Sequence, residues 1–490
     1  MNKTSVTRSL EWLRERPGLL LVLCAAILMA VGWSQDGLNL DSTTYAVIAR
    51  NMAEQGSWFE PTYTNWYLTN FAEHPPLVMW LQGIVFLLLG ASDSTARIVG
   101  QLAVIGSIWL VYLIGLRIQG KRFGFHAGLV LLLTYSFGQV NNSTLLDGPM
   151  TFFGLMALYG TISLLSGDDR LRYSLLAGLG LAGAFLSKGA VAVPFWVAVA
   201  ASVLLFRRDL LCKPLFWWLP IVAVLPIDLF FLLDQLFANG RFIDHYFIFQ
   251  VLQRYTYSDA TIQTSWWEYS WRLFKLAMPF SLLLPFSIYY AIKQRVRLLW
   301  PILIALVAYW LLYSGSAKLY YHYFVPAYAL LAPLAALPLL NWLSEKRVRA
   351  IQMFFPAFWV ATAIVVTAAG VRMHAIRAPE IYTLTQPMLS LLDVTPNRNG
   401  MLLGEGEPNW DYVAKAAWYW RSDLRKVNNS AYADSLMRAE NSAWYVLAPE
   451  GFYLNDFELA QFGWRTYTGN EKLQVYVRGI TRSPGELSQR

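Results

Sequence analysis

The chain has 490 residues, of which 56% are hydrophobic and only 14% are charged. This apolar content exceeds what the core of a soluble protein needs, so the composition excludes an ordinary soluble protein. The net charge is +8, but the Lys and Arg residues form no single basic arm or stripe, which argues against a nucleic-acid-binding protein.

Apolar runs of membrane-spanning length recur along the chain, separated by short basic clusters. A helix needs roughly 20 apolar residues to cross about 30 Å of hydrocarbon, and placing every basic cluster on the cytoplasmic side fixes the direction of each span. The pattern predicts a polytopic α-helical membrane protein with about eleven spans and a cytoplasmic N-terminus. The spans lie near residues 17–34, 96–116, 124–140, 149–166, 172–187, 190–206, 214–233, 270–290, 298–314, 324–341 and 351–371.

Two apolar stretches do not fit a simple span. The run 77–90 is too short, and counting it as a span would place Lys121 and Arg122 outside, so we interpret it as an interfacial helix. The run from Leu171 to Phe206 would far overshoot the membrane as one helix at about 1.5 Å per residue. It must therefore fold back, and Lys188-Gly189 is the predicted turning point.

Three segments on the outward side are too large to be turns: residues 35–95, residues 235–269 and the part after about Arg372. The last contains apolar runs of strand length at Met401–Leu403, Ala443–Ala448 and Leu473–Val477. Helical candidates at Trp410–Tyr419 and Tyr432–Glu440 alternate with them. We predict a membrane domain at 1–371 and a small α/β domain at 372–490 outside the cytoplasm.

Asp41 follows the first span and begins a stretch that is predicted to be helical as far as Gly56. Tyr45 and Ala49 share the helix face below it. Two interpretations stay open at this point. Asp is a favoured N-cap residue, and a carboxylate at the outer mouth of a span can also be a catalytic base, and one side chain can serve in both roles.

Further polar residues lie on the same predicted side of the membrane. Glu73 and His74, held by the two prolines that follow, can bind metal or phosphate, or can simply form a polar helix start. Asp147 opens the fourth span, where an ionisable group is costly unless it is paired or hydrated, although it too can be an N-cap.

Cations and hydroxyl groups complete this outward face: Lys188, Arg254, Tyr255, Lys318, His322 and Tyr323. Arg and Lys supply charge and Tyr supplies hydrogen bonds for the phosphate of a lipid headgroup. Ordinary interfacial anchoring explains any one of these residues, but it does not explain the whole set. The chain contains no phosphate-binding GxxxxGK[ST] loop and no dinucleotide fingerprint, so a sugar donor would have to be membrane-borne.

In these residues the chain resembles the GT-C superfamily of polyprenyl-phosphate-dependent glycosyltransferases. The similarity is to the branch of protein O-mannosyltransferases and of the bacterial aminoarabinose transferases that act on lipid A. The motifs that carry it, in order and spacing, are Asp41 with Tyr45–Arg50, Phe71–Leu77, Asp147, Lys188-Gly189, Gln253–Tyr255, and Ser316–Leu319 leading to Tyr323 and Pro326.

The resemblance implies a role for each matching residue. Asp41 and the second outward acid, Asp147, would be the catalytic carboxylates. Glu73 would contact a divalent metal ion, the one cofactor that the resemblance suggests. The first outward loop would contain juxtamembrane helices. Six residues would bind the substrate at the donor phosphate: His74, Lys188, Arg254, Tyr323, Lys318 and Tyr45.

The sequence departs from the aminoarabinose branch at two positions, where those enzymes usually have Lys in place of His74 and an acid in place of Ser42. The implied function is transfer of a sugar from undecaprenyl phosphate to an envelope acceptor, such as lipid A or lipopolysaccharide, at the periplasmic face of a bacterial inner membrane. The alternatives are an O-mannosyltransferase-like enzyme with a protein acceptor, and, in another class, a glycolipid flippase or transporter. A non-catalytic scaffold would leave the outward acids and cations without a purpose.

Overall fold

The computed structural model describes residues 12–13, 15–34, 37–141, 143–248, 266–314, 316, 319–368, 383–392, 399–403, 409–427, 445–449 and 464–478. The chain forms two compact units. The first comprises Met1–Asp36, Trp58–Glu60 and Ala72–Met373, and the second comprises Gly37–Ser57, Pro61–Phe71 and His374–Arg490. The predicted site residues Arg254 and Lys318 lie outside the described residues, as does the predicted helix at 432–440.

Helices dominate the described part of the first unit. Numbered in chain order over both units, the helices are α1 Pro17–Ala30, α2 Leu40–Gln55, α3 Leu77–Leu89, α4 Asp93–Ala96, α5 Ile98–Gln119, α6 Lys121–Leu133, α7 Tyr135–Asn141, α8 Asp147–Leu165, α9 Leu171–Lys188, α10 Val193–Phe206, α11 Trp218–Ala238, α12 Arg241–His245, α13 Glu268–Leu276, α14 Leu284–Gln294, α15 Trp300–Ser314, α16 Val325–Trp342, α17 Glu345–Ala368, α18 Thr385–Leu392 and α19 Trp410–Lys415. Of these, α2, α18 and α19 belong to the second unit.

Many of these helices suit a bilayer. Among the described residues, seven helical stretches are long and apolar enough to cross a membrane, or up to eight if α13 and the helical segment that ends with α14 count together as one bent span. The prediction of a polytopic helical protein is confirmed at this level. The segment α3 is a shorter apolar helix, as predicted for the run that begins at Leu77.

The chain reverses direction after α9. Gly189 follows Lys188 with a φ of 69°, which favours glycine, and a short turn leads into α10. Arg207, just beyond α10, donates a hydrogen bond to the carbonyl oxygen of Leu164 at 2.6 Å and pairs with Asp169 at 3.1 Å. A straight helix of the 36 residues from Leu171 would carry its end about 54 Å away from Asp169. The predicted reversal at Lys188-Gly189 is therefore confirmed.

Two predicted spans are wrong in detail. The run 270–290 does not form one helix, because α13 and the helical segment Phe280–Gln294 meet at an angle of 108°. Pro279 lies at this break, where its missing N–H cannot continue a helical hydrogen-bond ladder. The run 124–140 is divided between α6 and α7, because Thr134 has an extended backbone with a ψ of 93°.

Three of the basic clusters, those of Arg117, Arg170 and Arg207 with Lys213, meet at one end of the first unit. Arg117, near the end of α5, pairs with Asp168 at 3.0 Å, and Arg170 with Arg117 holds the pKa of that carboxyl below its ordinary range. The carboxylate of Asp169 accepts hydrogen bonds from the side chains of both Arg207 and Lys213. The helix α8 has 19 residues, so its first residue lies about 28 Å from this basic end.

The second unit contains a five-stranded sheet. Its strands are β1 Asn399–Leu403, β2 Asp423–Val427, β3 Tyr445–Pro449, β4 Trp464–Asn470 and β5 Leu473–Arg478. The spatial order is β2-β1-β3-β5-β4, with β2, β1 and β3 parallel and β5 antiparallel to both of its neighbours. One face carries a buried core that includes Met401, Val446 and Trp464. The strands β1, β3 and β5 overlap the three predicted runs. The strands β2 and β4 were not predicted, and three of the five residues of β2 are charged.

Candidate active site

Asp41 lies in the first turn of α2 but does not cap it. The N-cap is Asn39, whose side chain accepts a hydrogen bond from the backbone N–H of Ser42 at 2.9 Å. The N-cap interpretation of Asp41 is therefore wrong, because Asn39 already supplies that acceptor. Gly56 ends the helix with a φ of 77°, as the sequence predicts.

Tyr45 follows Asp41 by one helical turn and shares its face. Both side chains are partly exposed, and the Tyr45 ring meets Phe71 edge-on with the ring centroids 6.2 Å apart. The first turn of α2 thus presents a carboxylate above a phenol that an aromatic neighbour orients.

In the first unit, Asp147 and Lys188 form a buried ion pair. Asp147 is the first residue of α8, Lys188 is the last residue of α9, and the Lys188 Nζ lies 2.6 Å from Asp147 Oδ2. Their side chains are only 1% and 6% exposed. Asp147 makes no N-cap hydrogen bond, so the cap interpretation is wrong here as well. Its other oxygen, Oδ1, has no hydrogen-bond partner among the described residues.

Tyr323 completes this cluster. It lies in the turn before α16, and the Lys188 Nζ is 5.3 Å from the centroid of its ring, at the distance of a cation–π contact. The ring stacks on Tyr313 with centroids 4.9 Å apart, and Tyr313 in turn stacks on Tyr269 at 5.6 Å. The sequence pattern groups Lys188 with Tyr323 but does not predict this stack of rings. The available signal was Tyr309 with Tyr313, two tyrosines one turn apart on α15.

Glu73 and His74 lie in the turn before α3, and both are partly buried. Neither residue caps that helix, because its N-cap is Pro76 without a side-chain hydrogen bond. Within the described ranges no three His, Cys, Asp or Glu side chains meet as a metal-binding group.

The site residues thus fall into two described groups. Asp147, Lys188 and Tyr323 converge in the first unit, and Asp41 with Tyr45 occupies one helix face in the second. The first group is a buried polar cluster lined by phenol rings, and its ammonium and hydroxyl groups suit an anionic headgroup. The second offers a solvent-accessible carboxylate, which suits proton abstraction or orientation of a nucleophile.

Known proteins resemble this chain over much of its length. Residues 73–230 match the family model described as dolichyl-phosphate-mannose-protein mannosyltransferase. An undecaprenyl phosphate-alpha-4-amino-4-deoxy-L-arabinose arabinosyl transferase from Shewanella sediminis is 25% identical over 62% of this chain and 55% of its own length. One from Proteus mirabilis is 24% identical over 52% of this chain and 46% of its own. The chain spans about half the length of these curated relatives.

Solved structures show the same fold. ArnT from Cupriavidus metallidurans bound to undecaprenyl phosphate superposes with a TM-score of 0.75 and 16% identity, covering 95% of this chain and 98% of that one. The archaeal oligosaccharyltransferase AglB from Archaeoglobus fulgidus gives a TM-score of 0.51 and 15% identity over 89% of this chain and 70% of its own. The fold is that of an ArnT-like GT-C protein, and the predicted relationship to the GT-C superfamily is confirmed.

Proposed function

We propose that this GT-C protein transfers a sugar from a polyprenyl phosphate to an acceptor of the bacterial cell envelope, at the outer face of the inner membrane. The observation that carries the proposal is the superposition of nearly the whole chain on a structure that holds undecaprenyl phosphate. The similarity to aminoarabinose transferases supports lipid A or lipopolysaccharide as the acceptor. The match to the mannosyltransferase family model makes a protein acceptor the second candidate.

The proposed topology places the chemistry outside the cytoplasm. About eleven spans would cross the membrane, with the N-terminus inside. The helices α2 and α3 would be juxtamembrane helices of the first outward loop, and residues 372–490 would form a periplasmic domain. The clustering of Arg117, Arg207 and Lys213 at one end of the first unit supports this direction, because basic residues concentrate on the cytoplasmic side. Asp147 and Lys188 lie at the other end of α8 and α9.

The donor phosphate would be held by cations and hydroxyls. Lys188 and Tyr323 carry this role within the described residues, with His74, Arg254 and Lys318 as further ligands. Asp147 would be a positioning residue, because its carboxylate fixes the Lys188 ammonium at 2.6 Å and compensates its charge until the phosphate arrives. Stabilising the departing phosphate lowers the barrier to leaving-group loss.

Asp41 would act on the acceptor, either as general base on a hydroxyl or as the group that orients a nucleophilic phosphate, with Tyr45 binding substrate beside it. A single displacement at the anomeric carbon breaks the bond to the carrier phosphate and inverts the configuration. Glu73 and His74 offer one carboxylate and one imidazole to a divalent metal ion. The described residues add no third ligand to this pair, so no step is assigned to a metal.

Transfer by the purified protein tests this function. The full chain would be reconstituted in liposomes with a labelled polyprenyl-phosphate sugar and either lipopolysaccharide or membrane protein as acceptor. Wild type would be compared with Asp41→Asn, and exposed Glu60→Gln would serve as the matched control. We expect Asp41→Asn to lower the rate by about 10²-fold or more and Glu60→Gln to leave it unchanged.

Full transfer by Asp41→Asn would refute its catalytic role. Transfer only to protein would select the mannosyltransferase-like alternative. Absence of transfer with every donor, together with measurable translocation of labelled glycolipid across the liposome membrane, would refute the proposed function in favour of a flippase.

A further inference from the structure

A polar pocket of about 590 Å³ lies within the second unit, away from the residues discussed so far. One wall is the C-terminal half of α2, with Arg50, Asn51 and Glu54. The second wall is the loop that includes Asn65, and the third is the segment that includes Arg421 and Asp423. Its volume is in the range of roughly 300–1,000 Å³ that is usual for small-molecule sites.

Hydrogen bonds fix the three walls to one another. Arg50 donates to the carbonyl oxygens of Ala417 and Trp418 at 2.9 and 3.0 Å. Asn51 Nδ2 donates to the carbonyl oxygens of residues 62 and 63, both at 3.0 Å. The backbone N–H of Asn65 donates to Asp423 Oδ2 at 3.2 Å. The pocket is thus held in shape by its own framework, which lowers the cost of binding a ligand.

The charges that line the pocket cancel. Arg50 and Arg421 are balanced by Glu54 and Asp423, and Arg421 pairs with Glu54 at 3.1 Å. A lining without net charge offers little attraction to a phosphate or to a metal cation. The remaining polar groups are amides and hydroxyls, which both donate and accept hydrogen bonds. This chemistry matches a neutral ligand rich in hydroxyl groups.

The pocket shares α2 with the candidate catalytic carboxylate. Arg50 follows Asp41 by nine positions, which is about 13 Å along the helix axis and two and a half turns, so the two side chains point from opposite faces. The pocket is therefore separate from the surroundings of Asp41, yet a few linked sugar residues can span the distance between them.

We infer that this pocket binds a neutral saccharide segment of the acceptor glycan and thereby holds the acceptor while its reacting group meets Asp41. The identification of the saccharide as part of the acceptor rests on the proposed function. The binding of a neutral oligosaccharide does not, and it can be measured without any transfer reaction.

Saturation-transfer NMR on the full chain in detergent micelles tests the inference, with maltotriose, cellotriose, mannotriose and chitotriose as probes and inorganic phosphate as competitor. The exposed lining residues Gln55 and Thr69 would be replaced one at a time by Trp to fill the pocket. Lys472→Trp, exposed on the same unit but outside the lining, is the matched control. Unchanged thermal melting would show that each variant folds.

We expect at least one trisaccharide to bind wild type, Lys472→Trp and Asp41→Asn equally, and to bind Gln55→Trp and Thr69→Trp at least 10-fold more weakly. Equal binding to the pocket-filling variants, no binding of any trisaccharide to wild type, or displacement by phosphate would overturn the inference. Failure of this inference and failure of the proposed function would give different results. Absence of transfer by wild type with every donor would overturn the proposed function and leave saccharide binding in the pocket standing. Equal saccharide binding by wild type and the pocket-filling variants would overturn the pocket assignment and leave transfer standing.

Discussion

Replacing Asp147 by Asn would leave the ammonium of Lys188 buried without its counter-charge. The two groups lie 2.6 Å apart and are 1% and 6% exposed, so water cannot take over the role of the missing carboxylate. Truncating one partner of a buried pair typically costs about 3–5 kcal/mol, because an uncompensated charge remains in a low-dielectric environment. Both residues stand at helix ends, so α8 and α9 would each lose stability.

The matched comparison is the double variant Asp147→Asn with Lys188→Met, which removes both charges. Replacing a whole buried pair by uncharged groups is often neutral or stabilising. We therefore expect the single variants to lose about 3–5 kcal/mol each and the double variant to recover most of that loss, which gives a coupling energy of at least about 3 kcal/mol.

Tryptophan fluorescence during SDS titration of the protein in mixed micelles would measure these free energies of unfolding. The same variants assayed for transfer would separate stability from donor binding, because the double variant should fold but bind the donor phosphate poorly. Two results would refute the stabilising ion pair. One is a loss of unfolding free energy below about 1 kcal/mol in Asp147→Asn, and the other is a loss in the double variant equal to the sum of the two single losses.

Three further predictions concern the second unit. Arg50→Lys should destabilise the second unit by about 1.5–3 kcal/mol, because lysine cannot donate hydrogen bonds to two carbonyl oxygens from one planar group. Faster hydrogen exchange in that unit would show the loss. Burial raises the pKa of Asp423, so its contribution to stability is present below its unfolded pKa and is lost as pH rises through the folded value. The free energy of unfolding of Asp423→Asn, measured by denaturation between acid and neutral pH, should lack this loss. A pH profile identical to that of wild type would contradict the prediction. Asn39→Ala should cost about 1 kcal/mol and speed hydrogen exchange in the first turn of α2, whereas Asn39→Asp should preserve both.

Local pattern in the sequence predicts apolar helices in the first unit. The apolar runs and basic clusters needed no knowledge of partners, because a bilayer imposes its own length and charge rules on each segment separately. The reversal at Lys188-Gly189 was equally local, since length alone forbade one straight helix. The break at Pro279 was missed because a hydropathy window averages over one proline.

Local sequence pattern does not determine the partners of the polar side chains. Sequence could place Asp41 at a helix start but could not exclude capping, and only the Asn39 hydrogen bond to Ser42 decides that. Asp147 and Lys188 were each predicted to face outward, yet nothing in a sequence without homologues pairs one with the other. The roles of Asp41, Lys188 and Tyr323 stay predictions. So do those of Arg254 and Lys318, which lie outside the described residues.

The sequence by itself determined the class of protein, the course of its main apolar helices and the residue types available for phosphate and proton chemistry. Only the tertiary structure decided that Asp147 is held in a buried ion pair and that Asp41 lies partly exposed in the first turn of a helix. It also decided that residues 37–57 and 61–71 pack in one unit with the chain after residue 374, where Arg50 reaches carbonyls more than 360 positions away. The physical reason is that helix formation and membrane insertion depend on neighbouring residues, whereas ion pairs and pocket walls depend on which distant segments meet.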